Sequence, residues 1–219
     1  MSELKPNGQR ARRAILWVWI VLAVYVASSI SSYMRYTLLQ TVMNGVEVSK
    51  DVFDATDIRE CVIGILGGLA CIISAVTFLM WFRRAYYNLH RSIGHRLLYS
   101  EGWATGSWFV PVLHIYRPYR IMKELYLETE GLLTNKGMEQ SLATHSVGWW
   151  WVLWIISCIM DFIYLKIAIT AKTINEMITS EIIYMISCIV MIPLAFITVK
   201  VIKDYSKAEA LLTGEPEEV

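Results

Sequence analysis

Gly102-Trp103-Ala104-Thr105-Gly106-Ser107-Trp108-Phe109-Val110-Pro111-Val112-Leu113-His114-Ile115-Tyr116 is apolar enough to enter a membrane and too short to cross one. Fifteen residues of α-helix at 1.5 Å per residue reach about 22 Å, against a hydrocarbon core about 30 Å thick. Gly102, Gly106 and Pro111 interrupt its helical character, and extending it beyond Tyr116 puts Arg117 and Arg120 at membrane depth. Irregular backbone survives there only where protein or water covers it. Residues 102–116 are therefore expected to form a re-entrant or short, kinked helical segment packed among other helices, with a full fifth span as the rival.

The helices it needs are close by. Ala14–Ile30, Cys61–Phe82, Val147–Leu165 and Ile182–Val199 are continuous apolar runs, interrupted by one acid, Asp161. About 20 such residues are needed for a helical span. Continuous runs, rather than alternation, argue for helices over a barrel. Of 219 residues 56% are hydrophobic and 18% charged, whereas a soluble domain carries about 25% charged residues. The expected fold is all-α: an integral membrane helical bundle of four transmembrane helices, near 14–33, 61–82, 147–165 and 182–202. These form one membrane domain over 14–203, with cytoplasmic tails at 1–13 and 204–219. The first tail is expected to be disordered and the second frayed.

Charge sets the orientation. If 102–116 returns to the side it came from, 15 of the 20 Lys and Arg fall in cytoplasmic segments; a fifth span divides them 10 and 10. The positive-inside rule favours the first arrangement, with both termini in the cytoplasm. It also gathers all nine tryptophans in the cytoplasmic half of the layer, where indoles favour the interface. Arg10, Arg12 and Arg13 precede the first span as in a signal peptide, yet its apolar run is longer than the usual 7–15 residues or so and holds Trp17 and Trp19. A retained span is expected.

Between the spans, residues 31–60 carry Asp51, Asp54 and Asp57, whose spacing by three suits a solvated helical face and not a calcium loop. Pro118 suits the first turn of a helix, and Ile121, Leu125 and Leu132 mark an apolar stripe. A cytoplasmic amphipathic helix is expected over 118–133. It is net acidic, unlike a helix that lies on anionic lipid, so it is expected to fold onto its own bundle or to receive a cytoplasmic protein partner. Gly64, Gly68, Cys71 and Ala75 share a face of the second span. Small residues there allow close helix packing, within the chain or in a homo-oligomer. Cys61, Cys71, Cys158 and Cys188 lie in apolar runs without a Cys-x-x-Cys spacing and are expected to act as small buried hydrophobes.

The order Trp81-Phe82-Arg83-Arg84-Ala85-Tyr86-Tyr87-Asn88-Leu89, then Trp103, Trp108-Phe109-Val110-Pro111, Arg117-Pro118-Tyr119, Glu124-Leu125 and Trp149-Trp150-Trp151 resembles the bacterial membrane-protein family known as domain of unknown function 4328. The resemblance is detailed over Trp81–Trp154 and rests on hydropathy in the flanking spans. His114 departs from it, standing where a small polar residue such as Asn is expected. The resemblance implies a bacterial cytoplasmic (inner) membrane location and no particular activity.

Arg83, Arg84, Asn88, Trp103, Trp108, Pro111, Arg117, Pro118, Glu124 and Asp161 are the motif residues from which a structural or functional role is expected. Arg84 or Arg117 is expected either to bridge to Glu124, locking the return segment, or to meet lipid phosphates. Asp161 approaches the outer interface and is expected to reach water or pair with Lys166. The four histidines offer no metal-ligand spacing, and no nucleophile motif or phosphate-cradling glycine loop is present. No metal or cofactor is expected, nor is nucleic-acid binding, since the net charge is +1. The expected role is non-catalytic, docking a partner or sensing the membrane through the cytoplasmic face. The alternative is a small channel or transporter lined by 102–116.

Overall fold

Hydrocarbon leaves the backbone no partner but itself, and the chain answers with helices. A computed structural model describes residues 4–93, 97–138 and 141–214. It holds six α-helices: α1 Gly8–Met43, α2 Lys50–Ser92, α3 Trp103–Gly106, α4 Arg117–Asn135, α5 Thr144–Thr170 and α6 Ile174–Thr213, with a 3-10 turn at Leu113–Ile115. No strand occurs among the described residues. Four of these helices, α1, α2, α5 and α6, are long and apolar enough to cross a membrane. Their apolar surface is turned outward: only 6% of the most apolar window of α5 and 11% of that of α2 is buried within the protein. Helices packed by water would hide those windows. Lipid explains their exposure, and the chain is a membrane protein.

The helices outrun their apolar cores. The 36 residues of α1 make about 54 Å of helix, so α1 and α2 carry the polar flanks of the expected spans as further turns. Asn44-Gly45 turns the chain between them, with Gly45 at φ 81°, a left-handed conformation that glycine adopts without steric cost. Asp51, Asp54 and Asp57 lie exposed on α2, as their spacing implied. Cys61 and Cys158 face outward instead of inward; only Cys188 is buried.

The chain divides into two compact units. The first contains residues 1–18, 73–152 and 196–219. Its core is aromatic: Trp81, Phe82, Tyr86, Tyr126 and Tyr205 are essentially inaccessible. Tyr126 donates its hydroxyl to the Val201 carbonyl at 2.8 Å, and Trp81 Nε1 donates to Ser206 Oγ at 3.1 Å. On α4, Ile121, Met122, Leu125 and Leu133 are buried with Glu124 and Thr129. Of the tail expected to be frayed, residues 204–213 belong to α6, with Tyr205, Ala208 and Glu209 buried, while residues 215–219 lie outside the described residues.

The second unit contains residues 19–72 and 153–195. Its interior is polar to an extent that lipid-facing helices do not require. Ser31, Ser32, Glu181 and Ser187 are buried in it, and Ser187 Oγ donates to Asp161 Oδ1 at 2.9 Å.

Candidate functional site

In the first unit the motif residues sort themselves by helical period. Trp81, Phe82, Ala85, Tyr86, Asn88 and Leu89 point inward, while Arg83 is exposed and Arg84 half-buried. Asn88 ties together three separate pieces of chain. Its Oδ1 accepts the Lys5 N–H at 3.0 Å, and its Nδ2 donates to the Lys5 carbonyl at 2.8 Å and to Glu209 Oε1 at 2.6 Å. Asn7 Nδ2 donates to the other Glu209 oxygen at 2.9 Å. Residues 4–13 are therefore not a disordered tail: Lys5 and Asn7 are pinned before α1 begins. The side chain of Tyr87 gathers cations, with Lys5 Nζ 5.0 Å and the Arg91 guanidinium 5.2 Å from its ring centre.

Glu124 closes the base of the segment 102–116. Its Oε2 accepts the Tyr86 hydroxyl at 2.7 Å and its Oε1 the Leu98 N–H at 2.6 Å. The expectation that Arg84 or Arg117 would bridge to Glu124 is corrected: among the described residues Tyr86 and Leu98 fill that role. Burial, and then the Glu124 carboxylate, push the Tyr86 hydroxyl well above the ordinary phenol value, so it remains a donor. Arg117 instead lays its guanidinium over Trp103, 4.0 Å from the ring centre, and faces Tyr99 at 5.6 Å. Pro118 occupies the first turn of α4, as expected.

Between these ends the segment is one helical turn, α3, followed by a loop and the 3-10 turn. Its flank is fixed by aromatic packing. Trp108 lies 5.8 Å from Phe78 and 5.9 Å from Trp151, and Trp151 Nε1 donates to the Ile115 carbonyl at 3.0 Å. Its tip is uncovered: Phe109 is 73% exposed and Val112 68%. Pro111 accepts the Leu113 N–H at 2.8 Å around Val112 at φ 67°, ψ −45°. That is a three-residue turn of the rare, strained hand, built on a β-branched residue. Strain of this kind costs of the order of 1–3 kcal/mol.

The second unit contains a cavity of about 280 Å³ whose walls include Tyr25, Arg35, Glu60, Tyr164, Glu181 and Tyr184. Glu181 Oε2 accepts Ser32 Oγ at 2.6 Å, and Arg35 Nε stands 3.6 Å from Glu181 Oε1. Arg59 Nε donates to Ser31 Oγ at 2.7 Å and Nη2 to Glu60 Oε1 at 3.2 Å. Gly64, Gly68 and Cys71 also line the cavity.

A family model described as domain of unknown function (DUF4328) matches residues 44–207, most of the chain. The chain belongs to the DUF4328 family. No curated protein and no solved structure matches it. The match spans α2 to most of α6 and so includes every motif residue of this DUF4328 chain, while α1 lies outside it.

The fold of this DUF4328 protein brings Arg83, Arg84, Asn88, Trp103, Trp108, Pro111, Arg117, Pro118 and Glu124 into one unit and leaves Asp161 in the other. Asp161 is bonded to Ser187, not to Lys166. The cavity residues Arg35, Glu60 and Glu181 escaped the reading of the sequence. Their signal was an arginine and two acids at the ends of apolar runs that also carry tyrosines, a pattern that distance alone turns into a site.

Proposed function

We propose that this DUF4328 protein is a non-catalytic sensor of the bacterial cytoplasmic membrane, and that residues 102–116 dip into the inner leaflet as its sensing element. The observation that carries this is the exposed apolar tip, Phe109 at 73% and Val112 at 68%, held on a base made by Tyr86, Glu124 and Trp151. An apolar tip on a packed base has a favourable place in acyl chains and none in water. A channel lined by this segment has less support, since the exposed side chains Phe109 and Val112 offer no polar group to a permeating ion.

Other features support the orientation. Tyr86 and Glu124, on either side of the segment, meet at 2.7 Å, as a segment that leaves and returns to one side requires. Residues 4–18 and 196–214 and the described part of 83–146 belong to a single unit. Arg12, Arg13, Arg83 and Arg120 are exposed in that unit, suited to lipid phosphates beside the dipping tip. The 15-to-5 distribution of Lys and Arg supports a cytoplasmic amino terminus and carboxy terminus.

The test is depth-dependent quenching. A bimane fluorophore on a cysteine at 109, in an otherwise cysteine-free protein in vesicles, is expected to be quenched by spin-labelled acyl chains, whereas one at 136 is quenched only by aqueous iodide. Iodide quenching at 109 with none by the lipid labels means a solvent-facing tip; the membrane reading then fails, and docking of a cytoplasmic protein takes its place.

A further inference from the structure

We propose that the cavity of the second unit binds a small organic ammonium ion. Its volume, about 280 Å³, lies just below the range of drug-sized pockets and suits a ligand of a few heavy atoms. Its walls choose the charge. Glu60 and Glu181 line it against the single lining cation Arg35, and Arg35 is shared with Asp57 at 3.4 Å. Arg59 is spent on Ser31 and Glu60. Asp57 is largely exposed and neither it nor Arg59 lines the cavity, so the lining itself sets two carboxylates, Glu60 and Glu181, against one guanidinium group, Arg35. An anion entering here meets a surplus of negative charge.

Glu181 is the group with acceptor capacity to offer. It is 6% exposed, yet of about four acceptor positions on a carboxylate one is used, by Ser32 at 2.6 Å. The Arg35 contact at 3.6 Å is an ion pair beyond hydrogen-bond reach. Around it stand the rings of Tyr25, Tyr164 and Tyr184, the last two with centres 4.8 Å apart. Aromatic faces with a carboxylate are the chemistry that recognises a substituted ammonium. A bare metal ion fits less well, because no cluster of three or more metal-ligating side chains exists among the described residues. The glycines supply the room: a Cβ at Gly64 or Gly68 meets no atom within 4 Å.

The ammonium has two sources, a free metabolite or a phospholipid headgroup. In nanodiscs of phosphatidylglycerol alone, the full chain is titrated calorimetrically with choline, ethanolamine and the neutral choline isostere 3,3-dimethylbutan-1-ol. At least one of the two ammonium compounds is expected to bind with a Kd of about 1 mM or tighter, and the isostere at least tenfold more weakly. Glu181→Gln is expected to weaken binding at least tenfold. Gly68→Val, which fills open space and leaves the fold intact by its melting profile, is expected to abolish it. Repeating the titration with phosphatidylethanolamine in the disc assigns the source: a lipid ligand suppresses the binding of the free compounds, and a metabolite ligand leaves it unchanged. Equal binding of the isostere, unchanged binding in Gly68→Val, or no binding of either ammonium compound overturns the proposal. None of these outcomes depends on the depth of the 102–116 tip.

Discussion

Asn88 shows how much one side chain holds in place. It bonds both backbone groups of Lys5 and one oxygen of the buried Glu209, so its removal frees the amino-terminal segment and strips a carboxylate of a donor. A buried hydrogen bond to a charged group contributes about 1.5–3 kcal/mol. Asn88→Ala is expected to lower stability by about 3 kcal/mol, read from unfolding midpoints in detergent. Asn88→Asp sets a second carboxylate where 2.6 Å now separates Nδ2 from Glu209 Oε1. It is expected to fall below Asn88→Ala at pH 7 and to recover in acid, as the new acid gains a proton to donate. An Asp variant as stable as wild type at pH 7 means that Glu209 already carries a proton, and the charged reading of this junction fails.

At the scale of elements, the apolar helices were legible because hydropathy reports burial in lipid directly, and each expected span lies inside a longer helix. The polar turns that extend α1 to Met43 and α2 to Ser92 carry no hydropathy signal, and tertiary bonds such as Lys5 to Asn88 hold the chain beyond them. Pro118 marked the start of α4 because a fixed φ and a missing N–H suit that one position. Tyr86 as the partner of Glu124 was not legible: 38 residues separate them, and the nearby arginines offered a more obvious charge match. The start of α6 carries a signal that local spacing does encode. Thr173 Oγ1 accepts the Glu176 N–H at 3.3 Å, and Glu176 Oε2 accepts the N–H groups of Lys172 at 2.7 Å and Thr173 at 3.1 Å, a reciprocal cap. The Lys172 and then the Thr173 N–H hold the Glu176 carboxyl below its ordinary value. A proton then binds the unfolded chain before the folded one. The cap's contribution is whole above about pH 4.3, the unfolded value, and is lost as pH falls through the lower folded value. Glu176→Gln is expected to melt below wild type at pH 7, with the gap closing toward pH 3. A gap that is absent at pH 7, or that persists unchanged in acid, shows that the cap adds no titrating stability.

At the scale of the molecule, most of the apolar window of each of the four long helices lies unburied by protein. On α5, Trp149 is 62% exposed, Phe162 68% and Ile169 74%, and Cys158 is exposed among them. Leaving one large apolar side chain in water forfeits about 1.5–3 kcal/mol, so a surface of this extent is stable only against hydrocarbon. Exposure in the protein and access to water are then opposite quantities, and Cys158 separates them. In a chain whose other three cysteines are replaced by serine, a charged methanethiosulfonate reagent is expected to leave Cys158 unmodified in sealed membranes and to modify it after detergent denaturation. Added one at a time, cysteines at Asn44 and Lys136, both exposed in turns outside the apolar runs, are expected to react at once, from the outer and the cytoplasmic side respectively. Protection of Cys158 beside reactive cysteines at 44 and 136 means that lipid, not protein, covers α5. Rapid modification of Cys158 in intact membranes places water along that face. The lipid-facing assignment of α5 then fails, and a polar pathway bounded by α5 replaces it.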